Sequence, residues 1–209
     1  SPMPTVNVPA NQSVCNGTVI PASSLSSVPA GANYSWTNSN TAIGLAASGS
    51  GNVPAFTASN LTTTSVSGTI TVTPQIGVCA GTPSSYTITL KPTPALGSLT
   101  NQLVCSDATV PIINFSSTPS GGNFSWNTAT TSIGIAASGL NSIPSFTAIN
   151  AGTSSVTSSI NVSVELNGCI GNTGQFDITV KPKPQATVPA NSTHCSGATV
   201  AAVSFSSTP

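Results

Sequence analysis

The chain has 209 residues, and only 3% of them are charged, three basic and three acidic, against about 25% in a typical soluble protein. With a formal net charge of zero and no basic patch, the sequence gives nucleic acid and anionic membrane surfaces no electrostatic attraction, which excludes both as partners. The hydrophobic share of 38% excludes charge-rich disorder, and no uninterrupted apolar run reaches the length needed to insert into a membrane.

Apolar and polar residues alternate along the chain, a pattern typical of strands with one buried face. Val66, Ile70 and Val72 alternate with polar residues in one predicted strand, as Ile88 and Leu90 do in the next. Helical spacing never persists for the length of a helix, and Gly and Pro interrupt the chain every few residues. The first 90 residues are therefore predicted to form seven strands, near residues 4–8, 13–27, 33–37, 43–48, 53–60, 64–74 and 84–91.

This whole pattern repeats after 90 residues without a gap. Cys15, Cys105 and Cys195 share one position of the repeat, and Trp36 and Trp126 share another. Seven alternating strands in roughly 100 residues indicate an immunoglobulin-like β-sandwich. We therefore predict an all-β chain of tandem sandwich domains at residues 1–90 and 91–180, followed by the start of a third copy at residues 181–209.

The joins between copies and the proline positions add detail to this prediction. The third copy stops at Pro209, which matches Pro119 of the second copy, so we expect the sequence to be part of a longer array. Alternating prolines after Lys91 and Lys181 predict stiff, extended linkers. Pro111, like its counterpart in the first copy, falls inside a predicted strand, which indicates a bulge or a strand that changes sheets.

Each tryptophan is predicted to be a core residue. Trp36 alternates with Ser35 and shares a strand face with Tyr34, and Trp126 shares a face with Phe124 in the same way. The rival hypothesis, an exposed aromatic platform for a ligand, has less support because alternation with serine is typical of a half-buried strand.

The five cysteines predict an oxidising compartment. Cys15 and Cys79 lie 64 residues apart, as do Cys105 and Cys169, and we favour pairing within each copy. Cys195 would then pair with a residue outside the sequence. A rival pairing joins Cys79 to Cys105 and Cys169 to Cys195 across the linkers and leaves Cys15 alone. Spacing by itself leaves both open.

The chain holds too few ionisable residues for a catalytic site. Its acids are Asp107, Glu165 and Asp177, and no acid stands at the equivalent positions of the first copy. His194 is the single histidine, and no Cys-x-x-Cys spacing occurs. Paired-carboxylate, Ser-His-Asp and zinc chemistry each need groups that this inventory does not supply. We predict that the protein is not an enzyme and carries no metal or other cofactor.

A nearly uncharged surface favours self-association, unless attached glycans solvate it. Hydroxyl-linked glycans on the Ser and Thr faces are one candidate, and Asn-x-Ser/Thr acceptors are another. The acceptor pattern also arises by chance in a chain so rich in Ser, Thr and Asn. It occurs at Asn11, Asn16, Asn33, Asn60, Asn114, Asn123, Asn161 and Asn191.

The repeated motifs carry a resemblance to a known kind of domain. Each copy reads Asn-Gln-x-Val-Cys, Tyr/Phe-Ser-Trp, Ile-Gly-Leu/Ile-Ala-Ala-Ser-Gly and Pro-x-Phe-Thr-Ala, and ends in Lys-Pro-x-Pro. This set resembles the PKD-like repeats of very long secreted surface proteins of the Bacteroidota. The resemblance implies an extracellular or cell-surface protein, exported by the type IX system, whose repeats form a stalk, fibre or adhesin body. The acids that follow Trp in ordinary PKD domains are missing here, so calcium binding is not implied.

Two functional hypotheses follow. In the first, the repeats are structural: they associate with identical chains or neighbouring repeats and are strapped by disulfides. In the second, they are an adhesin that binds carbohydrate or another surface through end loops at residues 37–42 and 49–53. A further hypothesis is that strands at residues 185–188 and 198–206 complete the sandwich of a neighbouring chain by strand addition.

Overall fold

The alternating residues form strands throughout the computed structural model, which describes residues 3–208. The single 3-10 helix of the described residues is Thr41–Ile43. The strands of the first copy are β1 Thr5–Asn7, β2 Gln12–Cys15, β3 Val19–Ile20, β4 Ser26–Val28, β5 Asn33–Asn38, β6 Ser48–Ser50, β7 Phe56–Thr57, β8 Val66–Ile76, β9 Cys79–Ala80 and β10 Ser84–Lys91.

The second copy repeats most of these elements. Its strands, with two short ones that follow it, are β11 Ala95–Leu96, β12 Gln102–Cys105, β13 Thr109–Val110, β14 Ile113–Asn114, β15 Ser117–Thr118, β16 Asn123–Asn127, β17 Ser138–Leu140, β18 Ser142–Ile143, β19 Phe146–Thr147, β20 Val156–Leu166, β21 Cys169–Lys181, β22 Gln185–Thr187 and β23 Ser206–Thr208.

One large sheet forms the main layer of each copy. In the first copy its strand order is β2-β10-β8-β5-β6, with β9 also paired to β8, and in the second it is β12-β21-β20-β16-β17. Strand β2 runs parallel to β10, with Cys15 opposite Lys91, while β8 runs antiparallel to β10, with Val66 opposite Leu90. The two-stranded pairs β1-β4 and β3-β7 form a second layer in the first copy.

The core of the first copy lies between these layers. Ile70, Val72 and Leu90 of the main sheet are completely buried, and Val6 of β1 and Ile20 of β3 belong to the same cluster. The predicted all-β sandwich is therefore confirmed. Tyr86 is also buried, and this burial raises the pKa of its hydroxyl above the ordinary value.

The second predicted strand is divided, as the prolines indicated. Strand β2 pairs in the main sheet, whereas β3 pairs with β7, so the chain changes sheets before Pro21. In the second copy, β13 pairs with β19 on one side of Pro111 and β14 pairs with β18 on the other. A proline lacks the amide donor of a central strand position, and a change of sheet removes the need for it.

The predicted strand near residues 43–48 is wrong. Residues 41–43 form the 3-10 helix, and Gly44 ends it with φ at 95°, in the left-handed region that glycine adopts without strain. Ile43 and Leu45 are both buried on either side of this turn. Their alternation, which was interpreted as a strand, therefore arises from a turn.

Both tryptophans are core residues, as predicted, with 4% exposure for Trp36 and 2% for Trp126. A glycine lies against each ring: a Cβ at Gly49 would fall 2.2 Å from a ring carbon of Trp36, and one at Gly139 would fall 2.6 Å from a ring carbon of Trp126. The indole Nε1 of Trp126 donates to the carbonyl of Ser142 at 3.0 Å. The glycine that ends the Ala-Ala-Ser-Gly motif is thus required by packing.

The chain divides into two compact units. The first contains the residues up to Leu96 together with Ser117–Gly122 and Val164–Asn172, and the second contains Gly97–Ser116, Asn123–Ser163 and the residues from Thr173 onward. The domain boundaries at residues 90 and 180 stay predictions.

Replacing Gly139 by Ala should destabilise the fold by about 1–3 kcal/mol, because the new methyl group overpacks the site of Trp126. The matched control is Gly152→Ala, where the nearest atom to an added Cβ lies 3.4 Å away, so a change of less than about 0.5 kcal/mol is expected. Urea unfolding followed by tryptophan fluorescence measures both. Equal effects of the two substitutions would contradict the packing role of Gly139.

Candidate functional site

The end loop proposed for ligand binding at residues 37–42 is held by its own side chains. Asn38 is buried, and its Nδ2 donates to the carbonyls of Asn40 and Leu45 at 2.9 and 3.0 Å. Asn40 caps the 3-10 helix by accepting a hydrogen bond from the amide of Ala42 at 3.1 Å. The side chains of Asn38 and Asn40 are therefore engaged in shaping the loop.

The second proposed loop, residues 49–53, is also held in place by internal hydrogen bonds and burial. Val53 is buried, and its amide donates to Oγ of Ser23 at 2.9 Å. The side-chain oxygen of Asn52 accepts from the amide of Leu25 at 3.2 Å. This loop thus connects β6 to the segment that precedes β4.

The two copies differ in sequence in the first loop, and a second substitution in the neighbouring core compensates for this difference. A Cβ at Gly68 would lie 2.8 Å from Oδ1 of Asn38. In the second copy, Thr128 stands in place of Asn38 and Ser158 in place of Gly68, and their hydroxyls hydrogen-bond at 2.7 Å in the interior. A smaller residue at one position makes room for a larger one at the other. This loop variation therefore reflects core packing.

The groove beside the first predicted loop lacks an aromatic surface for a sugar, whereas the groove that includes Val53 of the second loop is lined by Phe56 and Tyr86. The groove beside residues 41–44 is lined by Thr41, Ala42, Leu61 and Val66 among others, with no aromatic residue in its described lining. Aromatic rings commonly supply flat contact area in ligand sites, but both tryptophans are buried in the core.

The predicted glycosylation sites differ in accessibility. Asn60 is buried, and its Nδ2 donates to the carbonyls of Thr64 and Leu90, each at 2.9 Å. Because glycan attachment would require that nitrogen in solvent, the prediction for Asn60 is wrong for the folded protein. Asn16 is half-buried, and its Nδ2 donates a hydrogen bond to Oγ1 of Thr93 at 3.4 Å. The exposed acceptors are Asn11, Asn33, Asn114, Asn123, Asn161 and Asn191.

The titratable residues do not gather into a catalytic or metal site. Asp177 accepts a hydrogen bond from Ser159 at 2.6 Å, and His194 shares one with Ser192 at 3.0 Å. Glu165 is exposed. Within residues 3–208, no group of three His, Cys, Asp or Glu side chains comes close enough to hold a metal ion.

A disulfide joins the two copies. Cys15 is bonded to Cys169 across a separation of 154 residues, with Cα atoms 5.5 Å apart, and both belong to the first compact unit. The favoured pairing of Cys15 with Cys79 and of Cys105 with Cys169 is therefore wrong, as is the rival pairing of Cys169 with Cys195. Cys79, Cys105 and Cys195 are free thiols among the described residues.

Strand direction explains why pairing within a copy fails. Cys15 lies opposite Lys91, at the end of the sheet where Val66 of β8 begins, whereas Cys79 lies opposite Ile76, where β8 ends. β8 has 11 residues, so the two cysteines are separated by about 34 Å along the strands at roughly 3.4 Å per residue. A disulfide needs Cα atoms within about 7 Å. Only a cysteine from another copy can reach Cys15.

The bond lies within a set of polar contacts at the end of the first copy. The ammonium of Lys91 donates to the carbonyl of Asn167 at 2.9 Å, two residues before Cys169. Nδ2 of Asn16 donates to Oγ1 of Thr93 in the linker at 3.4 Å. Asn167 and Gly168 form the turn between β20 and β21, both with positive φ, as an Asn-Gly hairpin turn requires. We call these residues, with Cys15 and Cys169, the joint.

The second copy retains one half of this arrangement at its own end. The amide of Ser106 donates to the carbonyl of Lys181 at 2.9 Å, as that of Asn16 does to Lys91 at 3.0 Å. The contact between Asn16 and Thr93 is replaced by an ion pair of Asp107 with Lys183 at 2.8 Å. Both side chains of this pair are exposed. The hydrogen bond from Lys183 to Asp107, with their charge attraction, raises the pKa of that ammonium.

Sequence reasoning missed the joint because it considered spacing without strand direction. The signal was present: Cys15 lies near the start of the strand predicted at residues 13–27, while Cys79 follows the strand predicted at residues 64–74. If the strand that contains Cys15 runs parallel to the last strand of the copy, Cys15 and Cys79 lie at opposite ends of the sheet.

Comparison with known proteins identifies the fold. No family model matches the sequence, and no curated protein matches it. Among solved structures, the I-band fragment I67-I69 from titin is 9% identical, with 88% of this chain and 68% of that chain covered and a TM-score of 0.52. An E-to-A variant of the same three titin domains is 10% identical, with 87% and 67% covered and a TM-score of 0.50.

A third similar structure is the pair of domains DIP-gamma IG1+IG2, which is 10% identical, with 86% of this chain and 98% of that chain covered and a TM-score of 0.48. The titin likenesses carry the conclusion that this chain folds as tandem immunoglobulin-like domains. At this level of identity they show the fold alone. No helix within residues 3–208 is long and apolar enough to cross a membrane.

The packing relation between Asn38 and Gly68 predicts energetic coupling. Gly68→Ser alone should destabilise by about 1–3 kcal/mol, since its side chain meets Asn38. Combined with Asn38→Thr, which reproduces the second copy, the cost should fall below the sum of the single changes by about 0.5–3 kcal/mol. Urea unfolding of the three variants measures the coupling. Strict additivity would show that the two positions do not compensate.

The disulfide predicts a mechanical difference between oxidised and reduced chains. The 154 residues that it encloses correspond to about 520 Å of extended chain at roughly 3.4 Å per residue. A single molecule pulled from its ends should therefore release about 520 Å less length when oxidised than when reduced. Cys15→Ser should behave as reduced, and Cys105→Ser as wild type. Equal lengths before and after reduction would contradict the bond.

Proposed function

We propose that this chain is a structural repeat segment of a long extracellular surface protein or filament. The observation that carries the proposal is the bond from Cys15 to Cys169, which links one copy to the next and not a copy to itself. A covalent bond between successive copies serves a chain under tension, because it keeps the residues between its ends from being extended.

The outer face of the main sheet supports the same proposal. Many of its side chains are hydroxyls that pair with each other across strands: Ser67 with Thr89 at 2.9 Å, Thr69 with Thr87 at 3.3 Å, and Thr157 with Thr179 at 2.8 Å in the second copy. Asp177 is an exception, since it stands at the position of Thr87 and accepts from Ser159. A surface with so few charges lacks the repulsion that keeps soluble proteins apart. Identical chains can associate on these faces, or glycans can cover them.

An extracellular location is part of the proposal. A structural disulfide persists in oxidising compartments, and the repeated motifs resemble PKD-like domains of secreted surface proteins. In the folded protein, the exposed acceptor asparagines are accessible to N-linked glycosylation. The exposed Ser and Thr hydroxyls are accessible to O-linked glycosylation in the same way. Export by the type IX system belongs to the same resemblance.

The adhesin alternative has less support. It places a carbohydrate ligand in the end loops, where the side chains of Asn38, Asn40 and Asn52 are engaged in internal hydrogen bonds. The variation between copies that would mark ligand-binding loops is compensated by packing between Thr128 and Ser158.

Electron microscopy of the protein isolated from its source tests the proposal. We expect regular filaments of many chains, because neutral faces and linked copies favour continued association. Extra density on the hydroxyl faces would identify attached glycans. Separate, flexible single chains that bind a glycan array would contradict the structural function and support the adhesin.

A further inference from the structure

The two layers of the first copy leave a groove between them along one edge. Tyr86 and Ile88 of β10 line its main-sheet side, and Phe56 of β7 lines the opposite side. The groove has a volume of about 200 Å³. Its remaining lining residues are Pro9, Gln12, Ile20, Pro21, Ala22, Ser23, Ser24 and Val53. Within residues 3–208, no charged side chain lines this groove, so its lining suits a neutral occupant.

Two polar side chains of this groove have no hydrogen-bond partner within residues 3–208. Tyr86 is only 4% exposed, and burial, without any hydrogen bond, raises the pKa of its hydroxyl. Gln12 lies opposite Ile88 in the parallel pairing of β2 with β10, so both side chains lie on the inner face of the main sheet. Polar groups in such positions cost free energy unless they are hydrogen-bonded. A molecule in the groove would supply the missing partners.

We propose that this groove binds one neutral hexose ring, with the Gln12 amide and the Tyr86 hydroxyl hydrogen-bonded to its hydroxyls and the ring of Phe56 against its CH groups. A phenol can donate and accept, and an amide offers two donors and an acceptor, which suits adjacent hydroxyls on one ring. The volume lies below the roughly 300–1,000 Å³ of drug-sized sites, so a single ring is the largest occupant that fits.

This inference goes beyond the proposed function, because it adds a ligand to a segment proposed to be structural. It also differs from the adhesin alternative, which places a sugar in the end loops at residues 37–42 and 49–53. The groove lies between the layers and includes only Val53 of those loops.

Hydrogen bonds hold both walls of the groove in place. Oδ1 of Asn11 accepts from the amide of Thr87 at 2.8 Å, which fixes the segment before Gln12 against β10. On the other side, the amide of Ser23 donates to the carbonyl of Val53 at 2.9 Å, and its Oγ accepts from the amide of Val53 at 2.9 Å. Walls fixed before binding reduce the entropy that a ligand must overcome.

The second copy has a groove at the same place but without the unpartnered hydroxyl. Phe176 stands at the position of Tyr86, and its ring lies 6.4 Å from that of Phe115. Nε2 of Gln102, the equivalent of Gln12, donates to the carbonyl of Thr100 at 3.2 Å. The polar groups that require a partner in the first copy are therefore absent or satisfied in the second, which makes the second copy an internal control.

A proline-rich peptide is the rival occupant, since aromatic grooves bind extended proline-rich segments. The polar side chains favour the sugar. Proline has no amide hydrogen, so a proline-rich segment offers few donors to the carbonyl of Gln12 and the oxygen of Tyr86. Tyr86 is also buried, whereas a peptide of several residues needs exposed aromatic rings along its length.

The test is an NMR titration of the full ¹⁵N-labelled chain with methyl glucoside, methyl galactoside and methyl mannoside. At least one should shift the amide signals of residues 12, 22–24, 56 and 86, and leave those of residues 102, 112–115 and 176 unchanged. Methyl glucuronide should bind more weakly, because no lining residue can pair with its charge. A disaccharide that ends in the same hexose distinguishes the two sources of the ring: binding by both indicates the end of a glycan, and binding by the methyl hexoside alone indicates a free sugar. Either result supports the inference.

Tyr86→Phe, which reproduces the second copy, should weaken binding about threefold to tenfold through loss of one hydrogen bond. Its urea midpoint should not fall, because the hydroxyl has no protein partner to lose, and this separates a ligand contact from a structural role. Gln12→Met should weaken binding to a similar degree. The matched control is Gln102→Met, the same change in the second copy, which should bind the hexoside as wild type does.

Four results would overturn the inference: no shifts with any hexoside, as for a groove filled by water alone; shifts only outside the groove; full binding by Tyr86→Phe; or saturable binding of the peptide Lys-Pro-Thr-Pro-Ala at these residues instead. Filaments whose chains bind no hexoside would refute this inference and leave the proposed function standing. Hexoside binding in this groove by chains that form no filament would refute the proposed function alone.

Discussion

The parallel pairing of β2 with β10 decides where the chain can be cross-linked. Because both strands run in the same direction, Cys15 at the end of β2 lies at the edge from which Lys91 leads the chain into the linker. Strand β8 runs the other way, so the turn that follows it, with Cys79, lies at the opposite edge. Each copy thus has one cysteine at the end of its sheet where the chain leads into the next copy. Its other cysteine lies at the opposite end, which faces a preceding copy. A bond between copies follows from strand direction alone.

The motifs shared by the two copies are explained by packing. Gly44 ends the 3-10 helix in a left-handed conformation, Ile43 and Leu45 fill the core on either side, and Gly49 lies against the ring of Trp36. Where the copies differ in the interior, as at Asn38 and Gly68, a second difference compensates for the first. This interior substitution is the kind expected when a fold is kept while its details change, and it does not require a ligand.

Much of this fold was predictable from the sequence. The two-residue period identified β8 and β10, the alternation with serine placed both tryptophans in the core, and the prolines indicated where a strand changes sheets. The strand near residues 43–48 was wrong because a turn between two buried residues gives the same alternation as a strand. Asn60 was assigned as an acceptor because a sequence motif carries no information on burial. The disulfide was missed because a separation of 64 residues is the same whether two cysteines lie at one end of a sheet or at opposite ends.

The near absence of charge gives the joint its importance. Three basic and three acidic residues offer little electrostatic complementarity, which contributes specificity to protein interfaces. Hydroxyl faces attract one another without selecting an orientation. In the joint, by contrast, a lysine, a backbone carbonyl and two cysteines must meet in one geometry. Orientation in this protein therefore depends on hydrogen-bond and disulfide geometry at the ends of the copies, and the neutral faces supply only the tendency to associate.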